Sequence, residues 1–565
     1  MNDKQAAATS DPPHDSPSGA KPRRRSRHKW FPVLIIIAAA AWWIQQARYA
    51  QYQTIAHFGV LLLTVIVLSS WYLVCGGATR RVRWLIAGGI WLGVAAFLGL
   101  FRPVFNGDMG IFKWRPRYAR HADELLAPLE SAGTASDWQT TPRDYPRFLG
   151  NGYWAEVKGV ELDTDWPAHP PEEIWRREIG AGWSAFVVVG NYAVTQEQRG
   201  EHELVTCYRV DTGEPVWVHA DKARFDPNDV AGSLGDVGPR ATPTIHDAKV
   251  ITQGGTGIVN CLDARTGRVL WSHDTPAEFR SPVALWGKSG SPLVVDDMVV
   301  ISVGEPASAG GIDGNDTPHQ PYNSSLVAFD IETGEIRWQA GNRPASYASP
   351  VLAELAGVRQ IIVVNQGYVT AHRPTDGTVL WEHPWKNAGD TTPSCSQPVP
   401  LSGDRVFLSK GYGGGASLLE IQRDVAGNLA AEPLWKPAVK QVMKTKLCNV
   451  VVRDGFVYGL DDVLLECIEL ATGNVQWKQR RSPPFGHGQI LLIGDVILVL
   501  SETGELALVE ASPEAYHELA SAQVLDDSNV TWNNPAFAPP YLLVRNNREA
   551  VCYRLPLKMK RLLAN

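Results

Sequence analysis

The chain has 565 residues, too many for one small core, so more than one structural region is expected. Its 53 Lys and Arg against 59 Asp and Glu leave a net charge of −6, which offers no electrostatic footprint for nucleic acid or another polyanion. With 51 Gly, 39 Pro and 21 Trp, the composition suits many turns and short strands and argues against a helical bundle.

Residues 1–20 are polar, lack hydrophobic periodicity and read as a disordered tail. KPRRRSRHK at 21–29 adds six Lys or Arg, so 1–29 is assigned as a basic cytoplasmic tail. Three apolar runs follow, at 30–47, 55–77 and 84–101. Each is close to the ~20 residues that cross a hydrocarbon core. Three in tandem with short connectors predict three transmembrane helices over 30–101; a cleaved signal peptide would account only for the first. Their orientation follows from the cations. Six precede the first run, only Arg48 lies between the first and second, and Arg80, Arg81 and Arg83 lie between the second and third. The positive-inside rule puts the tail in the cytoplasm and everything after Phe101 on the far side. In a bacterium that is a multi-pass inner-membrane protein, held by lipid, with a periplasmic domain. Residues 102–143 are assigned as a stalk, with a short helix over 121–132.

From 144 to 565 one phrase recurs. It reads CYRVDTGEPVW at 207–217, CLDARTGRVLW at 261–271, AFDIETGEIRW at 328–338, AHRPTDGTVLW at 371–381 and CIELATGNVQW at 467–477. Degenerate copies stand at 420–435 and 508–519. The grammar is a strand, a tight turn at Gly, and a second strand ending in Trp. Glycine accepts the positive φ of the turn, and the indole fills the wedge between neighbouring sheets. A second phrase, apolar strand–turn–apolar strand, precedes each copy and occurs eight times, from 183–196 to 533–545. Two hairpins per unit make a four-stranded blade, and the shortest steps between Trp positions, 338 to 381 and 435 to 477, match the ~40–45 residues of such a blade. An orphan strand, EIWRREI at 173–179, stands before the first blade, and AVCYRL at 550–555 lacks a Trp strand after it. Pairing the two predicts an eight-bladed, all-β propeller closed by both chain ends, which leaves few exposed edges.

The small-x-D-x-x-T-G-x-x-x-W phrase resembles the repeat of the pyrroloquinoline-quinone-like (PQQ-like) β-propellers. That family includes quinoprotein alcohol and glucose dehydrogenases and the lipoprotein propeller of the outer-membrane β-barrel assembly machinery. DYPRFLGNGYW at 144–154 is similar to the family's leading phrase Trp-Pro-x-Phe-Arg-Gly-Pro-Asn, with the Gly-Pro-Asn part shortened.

A propeller's first strands line its central channel, so the residues that start them gather at one mouth. Here these are Trp183, Arg240, Lys288, Tyr347, Gln397, Lys446, Asn449, His487, Trp532 and Asn534. Three cations, read as exposed loop charges, with a His and two Trp suit a flat or anionic ligand. The plainer reading is that they satisfy strand ends and water. His219, His273 and His383 follow repeat Trp residues by two, but equal repeat positions fall in different blades and cannot share a metal. GKS at 287–289 imitates the end of a phosphate-binding loop, yet 282 is Pro and a strand follows instead of a helix. Of the seven Cys, Cys75 falls in an apolar run and Cys207, Cys261, Cys467 and Cys552 share one repeat position, read as a small buried residue of an inner strand. Cys395 and Cys448 are isolated, so no disulfide framework is expected.

The resemblance also implies what a quinoprotein would need: an anionic quinone beside Ca²⁺, a carboxylate base and, in many members, an adjacent Cys–Cys pair. This chain has no such pair, and only Asp236, Glu305 or Asp461 could reach the mouth from loops. The expectation is therefore a scaffold for envelope proteins or a small anionic ligand, with no catalytic residue, metal or cofactor and no nucleic acid. A membrane-bound dehydrogenase using PQQ and Ca²⁺ is the alternative, since quinoprotein glucose dehydrogenases also carry N-terminal spans.

Overall fold

In the computed structural model, residues 31–46, 50–105, 111–152, 154–227, 236–281, 283–304, 324–385, 392–479 and 481–558 are described. The basic tail and Glu305 lie outside them. The chain divides into two units, Met1–Gly99 and Leu100–Asn565.

In the first unit the apolar runs form α1 (Phe31–Gln46), α2 (Ala50–Cys75) and α3 (Arg80–Leu100). Pro32 sits in the first turn of α1, where a missing N–H costs nothing. The Arg83 guanidinium donates to the carbonyls of Leu73 and Val74 at 2.6 and 2.9 Å, satisfying the end of α2. Trp91 Nε1 of α3 donates to Ser69 Oγ of α2 at 3.2 Å. Among the described residues α3 is the one helix long and apolar enough to cross a membrane, and Gly59–Cys75 is a shorter apolar helix. The three-span expectation is thus reduced to one candidate: α1 has only 16 residues, and the apolar part of α2 is the shorter Gly59–Cys75.

The second unit carries eight sheets around one axis. Blade 1 is Val187–Val189, Tyr192–Arg199, His202–Arg209 and Pro215–Asp221, paired antiparallel in that order. Blades 2 to 7 repeat this plan, beginning at Thr244, Leu293, Val351, Val399, Val451 and Gln489. Blade 8 takes Ala536–Ala538, Tyr541–Arg545 and Glu549–Arg554 from the end of the chain, and its outer strand is Glu172–Glu178. Cys552 pairs with Trp175 and Val551 with Arg176, which is the closure expected from the two orphan strands.

The repeat phrase is explained by what its Trp touches. Trp175, Trp217, Trp271, Trp338, Trp435 and Trp477 each donate Nε1–H to a backbone carbonyl of the next blade at 2.7–3.1 Å. For all but Trp477 the ring lies on the next blade's turn glycine. A Cβ on Gly213, Gly267 or Gly377 would stand 2.4–2.6 Å from ring atoms of the preceding blade's Trp. Glycine is therefore fixed twice, by its positive φ and by its neighbour. Trp381 faces the degenerate fifth turn and instead donates to Gln360 Oε1 in its own blade, at 2.6 Å. The shared Cys position is on the third strand of the blade, not the inner one. Cys207, Cys261 and Cys467 lie opposite Trp217, Trp271 and Trp477, where a small residue leaves room for the indole.

Residues 144–152 and 154–157 cross the end of the channel where the inner strands finish. Tyr145 pairs with Val188 of blade 1, and the Pro146 carbonyl accepts from Ile245 N of blade 2 at 2.7 Å. Trp154 packs with Val399 and Val450 of blades 5 and 6. Ala155 O accepts from Leu492 N, and Glu156–Val157 adds a parallel strand to blade 7. The channel is closed at this lower end and its other end is the mouth.

The described residues of 101–143 lie along this propeller. Phe101–Phe105 and Ile111–Pro116 form a hairpin whose Lys113 Nζ donates to Ser528 O at 2.7 Å. The helix expected over 121–132 is only a 3-10 turn, Ala122–Leu125. Pro128 disfavours helical backbone at the residue before it. Leu126 is already extended, and the chain then gives its amides to blades 1 and 2: Ala132 and Gly133 to Val216 O, Ala135 to Arg265 O.

Candidate functional site

The mouth is built from the residues that precede each inner strand and from the ends of the second strands. Inner strands are short, three residues in blades 1, 2, 3, 5, 6 and 8. Their neighbours are therefore brought close to the axis with side chains facing one another.

The structure joins five of the expected residues into one arc. The Trp183 and Trp532 rings meet edge to face at 4.5 Å across the seam between blades 1 and 8. The Arg240 guanidinium lies 4.6 Å from the Trp183 centroid and 4.3 Å from that of Phe225, between the two rings. It also donates to the Gly238 and Asp236 carbonyls. On the other side, Trp532 Nε1 donates to Glu502 Oε1 at 2.8 Å, and Glu502 Oε2 accepts from His487 N at 3.3 Å. His487 Nε2 stands 3.4 Å from Lys446 Nζ, which sits 5.1 Å from the Tyr412 centroid. Cations and aromatic faces thus run continuously from blade 2 through 1, 8, 7 and 6 to blade 5.

The other expected residues have different roles. Lys288 turns its ammonium inward to Ser281 Oγ and Val303 O, both at 2.9 Å. Tyr347 packs edge-on against Trp286 and its amide donates to Ser394 O. Asn449 Oδ1 accepts from Gln397 N at 2.8 Å, a clasp between blades 6 and 5. The same clasp joins Thr242 to Ala185, Ser291 to Thr242 and Ser349 to Ser291, so Asn449 holds the ring together. Asn534 is half-buried; its neighbour Asn533 is the residue that reaches across the seam, to the Gly182 and Ser184 carbonyls. His219, His273 and His383 stand on outer strands of three different blades.

One expectation is overturned. The three cations are not exposed loop charges: Arg240, Lys288 and Lys446 are 8 %, 5 % and 2 % exposed. Burial lowers the Arg240 pKa to about 10. Each cation is held by carbonyls or aromatic faces, so neutralising all three would cost stability as well as charge.

Glu502, Phe225 and Tyr412 were not legible as mouth residues because they belong to second-strand ends and long connections, where the repeat phrase is weakest. Around them the channel lining is polar. Gln253 Nε2 and Oε1, Gln397 Oε1, Gln489 Oε1 and Asn533 Oδ1 are buried without a hydrogen-bond partner among the described residues. Buried polar atoms are rarely left unsatisfied, so this lining suits water or a polar ligand.

Calcium takes six to eight oxygen ligands with carboxylates among them. The described carboxylates do not assemble such a set. Glu502 is engaged by Trp532 and His487, and Asp236 Oδ2 accepts from Asn547. Asp461 is turned to Lys444 and Lys478 within blade 6. Among the described residues no three His, Cys, Asp or Glu come together as metal ligands. They therefore do not fit a calcium-bound quinone.

The fold and the repeat define a propeller of known type. The family profile described as "Outer membrane protein assembly factor BamB" matches residues 201–479. In repeat and family profile the chain is similar to the PQQ-like repeat β-propellers. A segment of 162 residues is 29% identical to a polyvinylalcohol dehydrogenase of a Pseudomonas species, covering 22% of this chain and only 24% of that relative. Among solved structures, BamB from Moraxella catarrhalis is 13% identical with a TM-score of 0.48, over 68% of this chain and 100% of that one. A quinohemoprotein alcohol dehydrogenase from Pseudomonas putida HK5 has the same identity and TM-score, over 78% of this chain and 80% of its own.

Proposed function

We propose that this chain is a membrane-tethered, extracytoplasmic binding or assembly scaffold whose mouth takes a flat or anionic group, such as an acidic segment of an envelope protein or a small anion. The observation that carries this is the arc from Phe225 to Tyr412, in which two cations are held beside aromatic faces at a channel end. Such a surface recognises carboxylate or a planar ligand by charge-assisted hydrogen bonding and stacking. The described carboxylates near the mouth are engaged by the protein's own residues, which favours binding over metal-assisted oxidation. No cofactor is assigned.

Titration with a hexaglutamate peptide tests the mouth. Arg240→Gln is expected to weaken binding about tenfold, the loss of one charged hydrogen-bonding partner, and to flatten its salt dependence. An affinity unchanged by Arg240→Gln and by Lys446→Gln would move the function elsewhere.

The tether follows from the three apolar runs and the Lys/Arg asymmetry, with residues 1–29 cytoplasmic, 30–101 in the inner membrane and 102–143 joining them to the propeller. Reporter fusions at residues 20, 52, 80 and 140 are expected to read in, out, in, out. A single crossing would give one change of side along that series, and the multi-pass reading would be wrong.

A further inference from the structure

Lys446 reaches the mouth from the connection between blades 5 and 6, and two buried carboxylates hold the turn that carries it. Glu466, on the third strand of blade 6, is 2 % exposed, and its Oε2 accepts from Met443 N at 2.7 Å. Asp461, at the end of the second strand, is as deeply buried, and its Oδ1 accepts from Lys444 N at 2.6 Å. Two successive amides are thus each bound by a carboxylate. Met443 needs such a hold, because its φ of +51° lies in the left-handed region that a side chain disfavours. Gly459, opposite Glu466 in the sheet, makes room for the turn: a Cβ there would stand 2.6 Å from Met443 Sδ. Thr445 Oγ1 then lies 2.6 Å from both Ser396 Oγ and Ser409 Oγ of blade 5. Lys446 follows, with its Cα against Gly411, where an added Cβ would be 2.6 Å away.

The charges around Glu466 balance. Lys478 Nζ, from the outer strand, is 3.9 Å from Glu466 Oε1 and pairs with Asp461. Lys444 Nζ is 2.6 Å from Asp462 Oδ2 and 3.6 Å from Asp461 Oδ2. Burial raises the Glu466 pKa to about 7; the Met443 amide and Lys444 oppose that shift and Asp462 adds to it. A carboxylate accepts a hydrogen bond more strongly than a carboxylic acid does. The hold on Met443 N is therefore firm when Glu466 is ionised and slack when it is protonated.

We propose that Glu466 is a positioning residue for the mouth: ionised, it keeps the Met443 turn closed and Lys446 in the arc, and proton uptake slackens both, so that anion binding weakens as pH falls. This rests on the mouth being an anion site. His487, with Nε2 3.4 Å from Lys446 Nζ, acts with the opposite sign, because a proton gained there adds positive charge and favours an anion. The sign of the pH dependence therefore separates the two groups.

The test titrates hexaglutamate, which stays ionised above pH 6, against the full chain in phospholipid nanodiscs at pH 6, 7 and 8. Hydrogen exchange of the Met443 and Lys444 amides is followed in the same samples, corrected for the intrinsic pH dependence of exchange. With His487→Gln as background, affinity is expected to fall about fivefold from pH 8 to pH 6, the difference between a charged and a neutral acceptor, and amide protection to fall by a similar factor. Glu466→Gln keeps the size and a neutral acceptor, so it is expected to bind weakly and protect poorly at all three pH values. Its melting temperature at pH 8 is expected to be no lower than that of the wild type, because ionising the buried carboxylate costs stability as pH rises through about 7. In Lys446→Gln the affinity step is expected to vanish while the protection step remains. Hexaglutamate that fails to bind the wild type overturns the anion-binding mouth, and this inference with it. With binding intact, an affinity step that persists in Glu466→Gln, a step of the opposite sign in the His487→Gln background, or protection at Met443 and Lys444 that ignores pH overturns this inference alone.

Discussion

Arg545→Met is expected to lower the unfolding free energy of the propeller by about 3–5 kcal/mol, as breaking a buried charged network does. Arg545 lies at the end of the second strand of blade 8 and is 0 % exposed. Its guanidinium crosses the seam into blade 1, donating to Thr195 Oγ1 and Gln196 O at 2.9 Å and to Gly180 O at 2.7 Å. Burial lowers its pKa to about 10, and the nearby Glu197 carboxylate opposes that shift. Met matches the volume but donates nothing, so two carbonyls and a hydroxyl lose a donor in a dry seam. Glu197 would lose a counter-charge and keep Arg199 at 3.1 Å and the Tyr208 hydroxyl. Denaturant titration of the variant checks this. A loss below about 1 kcal/mol, the worth of an exposed pair, would mean that the seam is wet and the ring is closed by its strands alone.

Deleting residues 144–180 is expected to give aggregation instead of a smaller folded domain. The deletion takes away the outer strand Glu172–Glu178, leaving the edge Glu549–Arg554 unpaired. Exposed edges of this kind template association. It also removes Trp175, whose Nε1 bond to Val210 O at 2.7 Å is blade 8's lock on blade 1. The crossing segment goes as well, uncovering the apolar ends of the inner strands that Tyr145, Leu149 and Ala155 bury. Size-exclusion chromatography and thermal melts of a 181–565 fragment read the outcome. A monomeric fragment with a cooperative melt would show that neither end closure nor the crossing segment is needed.

The architecture was legible because its residues act locally and repeatedly. Trp217 and Gly267 are readable as a pair once the next blade's turn is known to lie under the indole, and the same contact recurs at four other seams. Even the orphan strand at 173–179 announced its partner, since Trp175 carries the repeat Trp that the last blade lacks. The mouth was half legible. Trp183, Arg240, Lys446, His487 and Trp532 could be named from their place before each inner strand. Their burial could not, because it depends on Phe225, Glu502 and Tyr412, which reach the axis from connections of irregular length. Asn449 shows a related ambiguity: a side-chain amide at a mouth and one clasping a neighbouring blade look alike in a single strand. The crossing segment left no repeat signal, since it occurs once and its contacts span five blades.

Binding at the mouth without oxidation is the central proposal. Its most direct test adds pyrroloquinoline quinone and Ca²⁺ to the purified full-length protein. Retained quinone is read by absorbance and intact mass, and dye-linked oxidation is read with alcohols, sugars and polyvinyl alcohol. No retained quinone and no turnover are expected, because the described mouth carboxylates are already engaged and form no calcium set. Quinone retained with Ca²⁺, together with turnover that Glu502→Gln or Arg240→Gln abolishes, would contradict it and make the chain a dehydrogenase.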